Sequence, residues 1–180
     1  EIGVFEMTEK GLEEVNNPSK LFLEGRTKNA IGSVITCTIE GTRPLLIEVQ
    51  ALATASVFGY PKRSATGFDV NRLQMIIAVL QEHGKINLGN QDIFINIVGG
   101  MRIEEPAGDL AVALAIISSF QKKPIIENLV TFGEIGLSGE IRSVTQEDRR
   151  TKEIKKLGFT NSLTPKDAKT IKECLGKIWG

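Results

Sequence analysis

One stretch, residues 98–120, constrains the fold of this chain more than any other. The segment before it, 92–98, alternates apolar and polar residues for part of its length, which predicts a β-strand. Pro106 suits the first position of a following helix, because its missing N–H needs no partner there. The apolar residues of that helix fall on every face and are Leu110, Val112, Leu114, Ile116, Ile117 and Phe120. Such a helix is stable only when it is buried, so the sequence predicts a central helix inside the core.

Three carboxylates stand at the start of this helix. Glu104, Glu105 and Asp109 complement the positive end of the helix dipole, which is the simplest interpretation of their position. A pair of carboxylates can also act as general acid and base, and this alternative stays open. A glycine turn ahead of a buried helix is a common place for chemistry. Here the position most exposed to that chemistry is Ala107, whose methyl group can perform none.

Whole-chain composition excludes several classes of protein. The 180 residues carry 22 basic and 22 acidic side chains, so a nucleic-acid contact requires a local cationic patch. No apolar run is long enough to span a bilayer and no signal-peptide pattern opens the chain, so we expect no membrane partner. Cys37 and Cys174 lie far apart, which predicts neither a zinc site nor a disulfide and fits a cytoplasmic location. Neither GxxxxGK[ST] nor a GxGxxG before a helix occurs, so we expect no nucleotide to bind by either route. Together with the missing zinc pattern, this leads us to expect no cofactor and no metal within this chain.

Turn and strand signals divide the first half of the chain into short elements. A strand pair is predicted within residues 2–15, and a hairpin is predicted from strands at 33–39 and 45–50. Residues 57–67 are predicted to form a loop. Asp69 is then expected to cap a helix that ends at Gly84. The expected buried face of that helix comprises Val70, Leu73, Ile76, Ile77 and Leu80.

The second half of the chain continues the same mixture. A glycine-punctuated hairpin is predicted at 133–140, between strands at 129–132 and 141–144. A charged helix is expected to start near Thr145 and a last helix near Thr164. Strands and helices intermix without strict alternation. This order predicts an α/β (α+β) fold in which a mixed sheet is covered by packed helices.

Several polar residues could carry chemistry, and each has a simpler structural interpretation. His83 is the single histidine and is expected to meet the last carbonyls of its helix, which leaves no histidine-based triad or multi-histidine metal site. Ser118 and Ser119 lie inside the apolar helix and are expected to be structural, and Ser138 is expected to form a turn.

A basic run follows the glycine hairpin. The simplest interpretation is a solvated helix face, and phosphate contacts are the alternative. The run consists of Arg149, Arg150, Lys152, Lys155 and Lys156.

Long motifs in this chain resemble one known family. Residues 99–110 are GGMRIEEPAGDL and residues 133–142 are GEIGLSGEIR, with further matching segments at 40–51, 58–63 and 67–73. They resemble the C-terminal Lon-protease-like domain of the RadA (Sms) family of bacterial DNA repair proteins. The resemblance implies a Lon proteolytic-domain-like fold for residues 16–180. It also implies that residues 1–15 are the end of a preceding RecA-like ATPase region.

The resemblance implies activities that reach beyond this chain. Members of that family carry a zinc finger and a RecA-like ATPase, form hexameric rings and drive branch migration of recombination intermediates. Since this chain has neither the cysteine quartet nor the P-loop, ATP, Mg and Zn are expected in a missing N-terminal part. The expected partners are further copies of the chain in a ring, single-stranded or branched DNA, and a recombinase.

The more distant likeness to Lon peptidases concerns catalysis. Those peptidases place a serine directly after the proline that opens the central helix, and here Ala107 follows Pro106. Counting from Gly133, the position of the partner lysine holds Asp148. A serine–lysine dyad needs a hydroxyl to attack and an amine to accept its proton, and neither residue supplies its part. We therefore expect a peptidase scaffold without its catalytic pair.

The resulting hypothesis is a non-catalytic domain that mediates ring assembly and contacts DNA. The alternatives are an active peptidase using Ser118 or Ser119 and a module that binds peptides without cleaving them. Lys62, Arg63 and Arg72 are the preferred DNA-contacting residues, since the first two lie in a loop that can approach a backbone. The helix bearing Arg149 to Lys156 is the second choice.

Overall fold

The computed structural model describes residues 4–57 and 59–179. Residues 2 and 3 of the predicted strand pair, and Phe58 of the family motif, lie outside the described residues. In chain order the strands are β1 (Phe5–Thr8), β2 (Gly11–Glu14), β3 (Ser33–Glu40), β4 (Arg43–Ala55), β5 (Arg63–Thr66), β6 (Gln91–Ile97), β7 (Leu129–Thr131), β8 (Glu134–Ile135), β9 (Ile141–Arg142) and β10 (Asn161–Leu163). The helices are α1 (Pro18–Leu23), α2 (Val70–Glu82), α3 (Asp109–Gln121), α4 (Glu147–Lys156) and α5 (Ile171–Trp179).

A mixed six-stranded sheet in the order β10-β7-β3-β4-β6-β5 organises the chain. The hairpin of β3 and β4 is antiparallel, with Ser33 opposite Gln50, and β4 is antiparallel to β6. The edge strand β5 runs parallel to β6, and β7 runs parallel to both β3 and β10. The predicted α/β class, with a mixed sheet and packed helices, is confirmed.

Helix α3 is the buried centre that the sequence predicts. Every residue from Leu110 to Ile117 is fully buried, and Phe120 is partly buried against the same core. The helix ends where Lys122 takes a left-handed conformation with φ 55° and its N–H meets the carbonyl of Ser119. Among the described residues, no helix combines the length and apolar character needed to cross a membrane.

Two apolar clusters form the core. The larger one packs α2 and α3 against inward residues of β4 and β6 such as Val49 and Ile95. The smaller one joins Ile35 and Leu46 of the sheet to Ile154 of α4. Because neighbouring residues of a strand face opposite sides, Val34 belongs to the larger cluster while Ile35 belongs to the smaller one.

Of three local predictions for the first half of the chain, two need correction and one is confirmed. The predicted loop at 57–67 contains strand β5, whose short polar sequence gives no strand signal but whose backbone pairs with β6. Val70 is 38% exposed, because it starts α2 and faces away from the sheet, unlike Leu73 and Leu80. The expected Asp69 cap is confirmed by its side chain accepting a hydrogen bond from Arg72 N–H.

The second half of the chain differs in detail as well. Pro106 opens a 3₁₀ turn at Pro106–Gly108, and the α-helix begins only at Asp109. Strand β7 pairs with β3 and β10 and takes no part in the glycine hairpin, which is formed by β8 and β9. The last helix begins at Ile171, because Thr164 and Asp167 close a separate hydrogen-bonded turn ahead of it.

Candidate functional site

The turn before α3 is closed from solvent. Ala107 is 1% exposed and packs within the smaller apolar cluster. Its carbonyl accepts a hydrogen bond from Gly133 N–H at 2.9 Å, and Leu110 N–H donates to the Gly133 carbonyl at 3.1 Å. The backbone groups at the start of α3 are therefore bonded to the chain that leads into β8, and no side-chain nucleophile is present at Ala107.

Glu105 meets a buried arginine rather than the helix dipole alone. Arg150 Nη1 donates to its Oε1 at 2.8 Å and Nη2 donates to its Oε2 at 2.5 Å. Glu105 also accepts from Ile39 N–H at 2.8 Å and from the Thr38 hydroxyl at 3.0 Å. The dipole interpretation is thus incomplete, since this carboxylate is held by four specific donor contacts.

The solvated-face interpretation of the basic run is wrong for Arg150. The guanidinium is fully buried, and it also donates to the carbonyls of Cys37 at 2.5 Å and Thr145 at 3.0 Å. It lies 5.8 Å from the centre of the Phe132 ring, within the range of a cation–π contact. Arg149, Lys152, Lys155 and Lys156 of the same run keep to the exposed or half-buried side of α4.

The cysteine beside Arg150 is not a reactive thiol. Cys37 is fully buried in β3, and burial raises the pKa of its thiol to about 12. The Arg150 charge acts in the opposite direction but is outweighed. Burial likewise raises the pKa of Cys174 to about 12, so both thiols are neutral near pH 7.

The third carboxylate, Asp109, forms a second arginine pair on the other side of the turn. Arg72 of α2 donates to it through Nε at 2.5 Å and through Nη2, and Ile135 N–H donates to it at 3.1 Å. Asp109 is fully buried. Burial raises the pKa of the Asp109 carboxyl, while the hydrogen bonds from Arg72 and Ile135 act to lower it.

The two positions expected to match a serine–lysine dyad do not face each other. Asp148 is 88% exposed at its side chain and lies 3.6 Å from Lys166 Nζ. Arg150 and Ile154 form the buried face of α4, and Asp148, two residues before Arg150, points to the opposite side. A buried Ala107 and a solvent-facing Asp148 offer no shared space in which a nucleophile and a base could meet.

The structure separates the residues preferred for DNA contact into two places. Lys62 is exposed just before β5, and Arg72 lies beyond the other end of that strand. At about 3.3 Å per residue, the four residues of β5 set these places on the order of 13 Å apart. Arg63 is half-buried, and its guanidinium donates to the carbonyls of Gln91 and Leu88.

A further arginine, Arg102, was missed by the sequence argument. It is exposed and lines the same surface cleft as Arg72, Asp69 and Glu104. Gly67 permits this approach: its φ is +77°, and a Cβ there would stand 2.3 Å from the Met101 carbonyl oxygen. Within the described residues Arg102 makes no ion pair, whereas Arg72 pairs with Asp109. A basic residue on a glycine turn next to the Arg72 helix was the available signal.

The remaining candidates are explained by local contacts. The Ser118 and Ser119 hydroxyls accept hydrogen bonds from Gly32 N–H and Ala53 N–H, both at 2.9 Å, which agrees with their expected structural role. His83 does not meet its own helix carbonyls. Its Nε2 lies 2.9 Å from the Leu137 carbonyl in the β8–β9 hairpin.

The fold and this site define a mixed α/β domain in which two arginine–carboxylate pairs hold the start of the central helix in place. The family model described as subunit ChlI of Mg-chelatase matches residues 48–168. That match covers more than half of the chain, and the chain therefore belongs to this family.

Individual relatives carry a different name. The chain is 51% identical over 178 residues to the DNA repair protein RadA of Rickettsia bellii, covering 99% of this chain and 40% of that protein. It is 51% identical over 166 residues to that of Aquifex aeolicus, covering 92% and 37%. It is 48% identical over 165 residues to that of Halalkalibacterium halodurans, covering 92% and 36%. The predicted resemblance to RadA proteins is confirmed, and the chain spans about two fifths of the length of these relatives.

Proposed function

We propose that this chain is the non-catalytic scaffold domain of a RadA-type DNA repair and recombination protein. The observation that carries this proposal is the 51% identity over 99% of the chain to a protein named DNA repair protein RadA. On this view residues 1–15 end a preceding ATPase region and residues 16–180 form the scaffold. The ATP, Mg and Zn chemistry, and the DNA-dependent motor, belong to the rest of such a protein. A cytoplasmic location fits this role.

We further propose a Lon-like scaffold that has lost its dyad. A peptidase of that type needs a hydroxyl and an amine in contact, and the two expected positions carry Ala107 and Asp148. The buried Arg150–Glu105 pair beside Ala107 supports the loss, because its donors and acceptors are bonded to each other and to the backbone. None of these bonded groups can serve as an activated nucleophile.

The same scaffold is proposed to assemble into a ring, with a hexamer expected from the family resemblance. The β8–β9 hairpin is the preferred contact, because Leu137 at its tip is 66% exposed while the Leu137 carbonyl lies 2.9 Å from His83 Nε2. An exposed apolar residue on a braced turn is suited to packing against a second copy. A recombinase is the remaining proposed partner.

DNA contact is proposed at the β5 edge of the sheet. Lys62 is the strongest candidate for a direct phosphate contact, because it is exposed and makes no ion pair within the described part of the chain. Arg63 and Arg72 retain their charge but have internal partners, so they contribute to the local potential more than to direct phosphate contact. Arg102 adds an exposed cation beyond the far end of β5.

A competition between nucleic acid and unfolded protein tests the proposal. The complete protein is passed over immobilised forked DNA and over an immobilised unfolded polypeptide at the same ionic strength. We expect retention on DNA and none on the polypeptide, with no cleavage of it. Retention on the polypeptide alone would instead favour the peptide-binding alternative and would exclude the proposed DNA-contacting role.

A further inference from the structure

Residues 56–57 and 59–62 lie between the end of β4 and the start of β5, and hydrogen bonds hold both ends of this stretch. Ser56 N–H donates to the Asn90 carbonyl at 2.9 Å on one side. On the other side Lys62 N–H donates to Asp92 Oδ1 at 2.7 Å, and the Lys62 carbonyl accepts from Ile93 N–H at 2.9 Å. Ser56 and Lys62 are therefore both bonded to the chain at the start of β6.

This stretch carries the two most exposed large hydrophobic side chains among the described residues. Tyr60 is 87% exposed and Val57 is 82% exposed, although both are apolar enough to be buried in most proteins. Tyr60 is also the single tyrosine among the 180 residues. A tyrosine ring has only two side-chain torsions, so it offers a large contact surface for a small loss of conformational entropy.

The charges beside Tyr60 favour an anionic ligand. Lys62 is exposed and follows Tyr60 by two residues, and Arg63 donates to backbone carbonyls rather than to a carboxylate. Asp92 is half-buried, and its Oδ1 is used by the Lys62 backbone. An aromatic ring next to cations is the arrangement that binds single-stranded nucleic acid, because bases stack on the ring and phosphates meet the cations.

We propose that Tyr60 stacks on an unpaired base and, together with Lys62, forms a binding site for single-stranded DNA. This inference rests on the DNA contact proposed above and specifies its substrate. In a duplex the base faces are covered by their neighbours, so the ring gains a partner only where the strands are separated. Lys62 holds a phosphate of either form of DNA, and Tyr60 supplies the preference for the single-stranded form.

The test compares Tyr60→Ala with Tyr60→Phe in the complete protein, using a thymine oligonucleotide and a duplex of equal length. We expect Tyr60→Ala to weaken binding of the oligonucleotide by about ten-fold, with duplex binding changed less than about two-fold. Tyr60→Phe keeps the stacking surface and should bind the oligonucleotide like the wild type. The salt dependence should be unchanged in both variants, because neither change removes a phosphate contact.

A third variant, Lys62→Ala, separates this inference from the function on which it rests. If Lys62→Ala lowers the salt dependence while Tyr60→Ala binds normally, the stacking inference is overturned and the DNA contact stands. An equal loss of single-stranded and duplex binding in Tyr60→Ala also overturns it, since stacking would then not discriminate. If the wild type binds neither form, the proposed DNA contact itself fails.

Discussion

Arg150 and Glu105 form a bidentate ion pair that joins α4 to the turn before α3, with N–O distances of 2.8 and 2.5 Å. The arginine is fully buried, and its remaining donor contacts go to backbone carbonyls. On the other side of the turn, Asp109 is held by Arg72. The segment containing Ala107 is thus fixed from two sides by charged groups that satisfy each other.

Removing the Arg150 guanidinium should be strongly destabilising. Arg150→Met leaves the partly buried Glu105 without its cationic partner and the Cys37 and Thr145 carbonyls without their donor, so we expect the free energy of unfolding to fall by about 3 kcal/mol. Urea denaturation measures the change. The matched control is Arg149→Met on the exposed side of the same helix, which should change stability by less than about 0.5 kcal/mol. Equal stability of the two variants would show that the buried pair contributes nothing.

Removing Arg72 should make stability depend on pH in a defined direction. In Arg72→Met the Asp109 carboxyl stays buried but loses the hydrogen bonds that lower its pKa, so its pKa in the folded state rises further above the unfolded value of about 3.9. Between these two values the folded chain holds a proton that the unfolded chain releases. Stability of the variant therefore falls as pH rises through that window.

Unfolding curves at pH 4.5 and pH 7 measure this effect. We expect Arg72→Met to lose about 2 kcal/mol relative to the wild type at pH 7, since Arg72 is partly exposed, and clearly less at pH 4.5. Adding Asp109→Asn removes the titrating group, so the loss of stability caused by Arg72→Met should then be the same at both pH values. A larger loss at pH 4.5 than at pH 7 would refute the assignment to Asp109.

Restoring the expected dyad residues should not create a peptidase. Ala107→Ser places a hydroxyl in a closed apolar site, and Asp148→Lys places an amine on the solvent side of α4. The double variant should therefore show no hydrolysis of casein and no labelling by a fluorophosphonate. A cooperative unfolding transition checks that it is folded. Time-dependent hydrolysis by the folded variant would mean that the two positions do meet.

The tip of the β8–β9 hairpin tests the proposed ring. Leu137→Asp puts a charge on an exposed apolar residue, and we expect it to dissociate oligomers of the complete protein while leaving the subunit folded. Light scattering measures the mass, and Ser138→Ala in the same exposed turn serves as the control. A ring of unchanged mass in Leu137→Asp would remove this hairpin from the interface.

The sequence predicted those parts of the fold that depend on local patterns. The all-apolar run from Leu110 to Ile117, the β3–β4 hairpin and the Asp69 cap each follow from neighbouring residues, and each is present. Strand β5 was missed, because its four residues become a strand only through pairing with β6. Such pairing is decided by the rest of the sheet.

The site was less predictable than the fold. Arg150 lies in a helix of strongly polar composition, so little in its own neighbourhood distinguishes it from Arg149. Its burial follows from Ile154, one turn later, packing on the sheet, and from Glu105, 45 residues earlier. A spacing of four residues between Arg150 and the apolar Ile154 was the available clue.

Salt dependence of DNA binding tests the proposed contact at the β5 edge most directly. Lys62→Ala removes an exposed cation beside β5, and the matched control Lys177→Ala removes one near β10, at the opposite edge of the sheet. We predict that Lys62→Ala lowers the log–log slope by about 0.7 for single-stranded DNA and about 0.9 for duplex, whatever its sequence. Lys177→Ala should leave the slope unchanged. An unchanged slope in Lys62→Ala, or an equal decrease in both variants, would contradict the account.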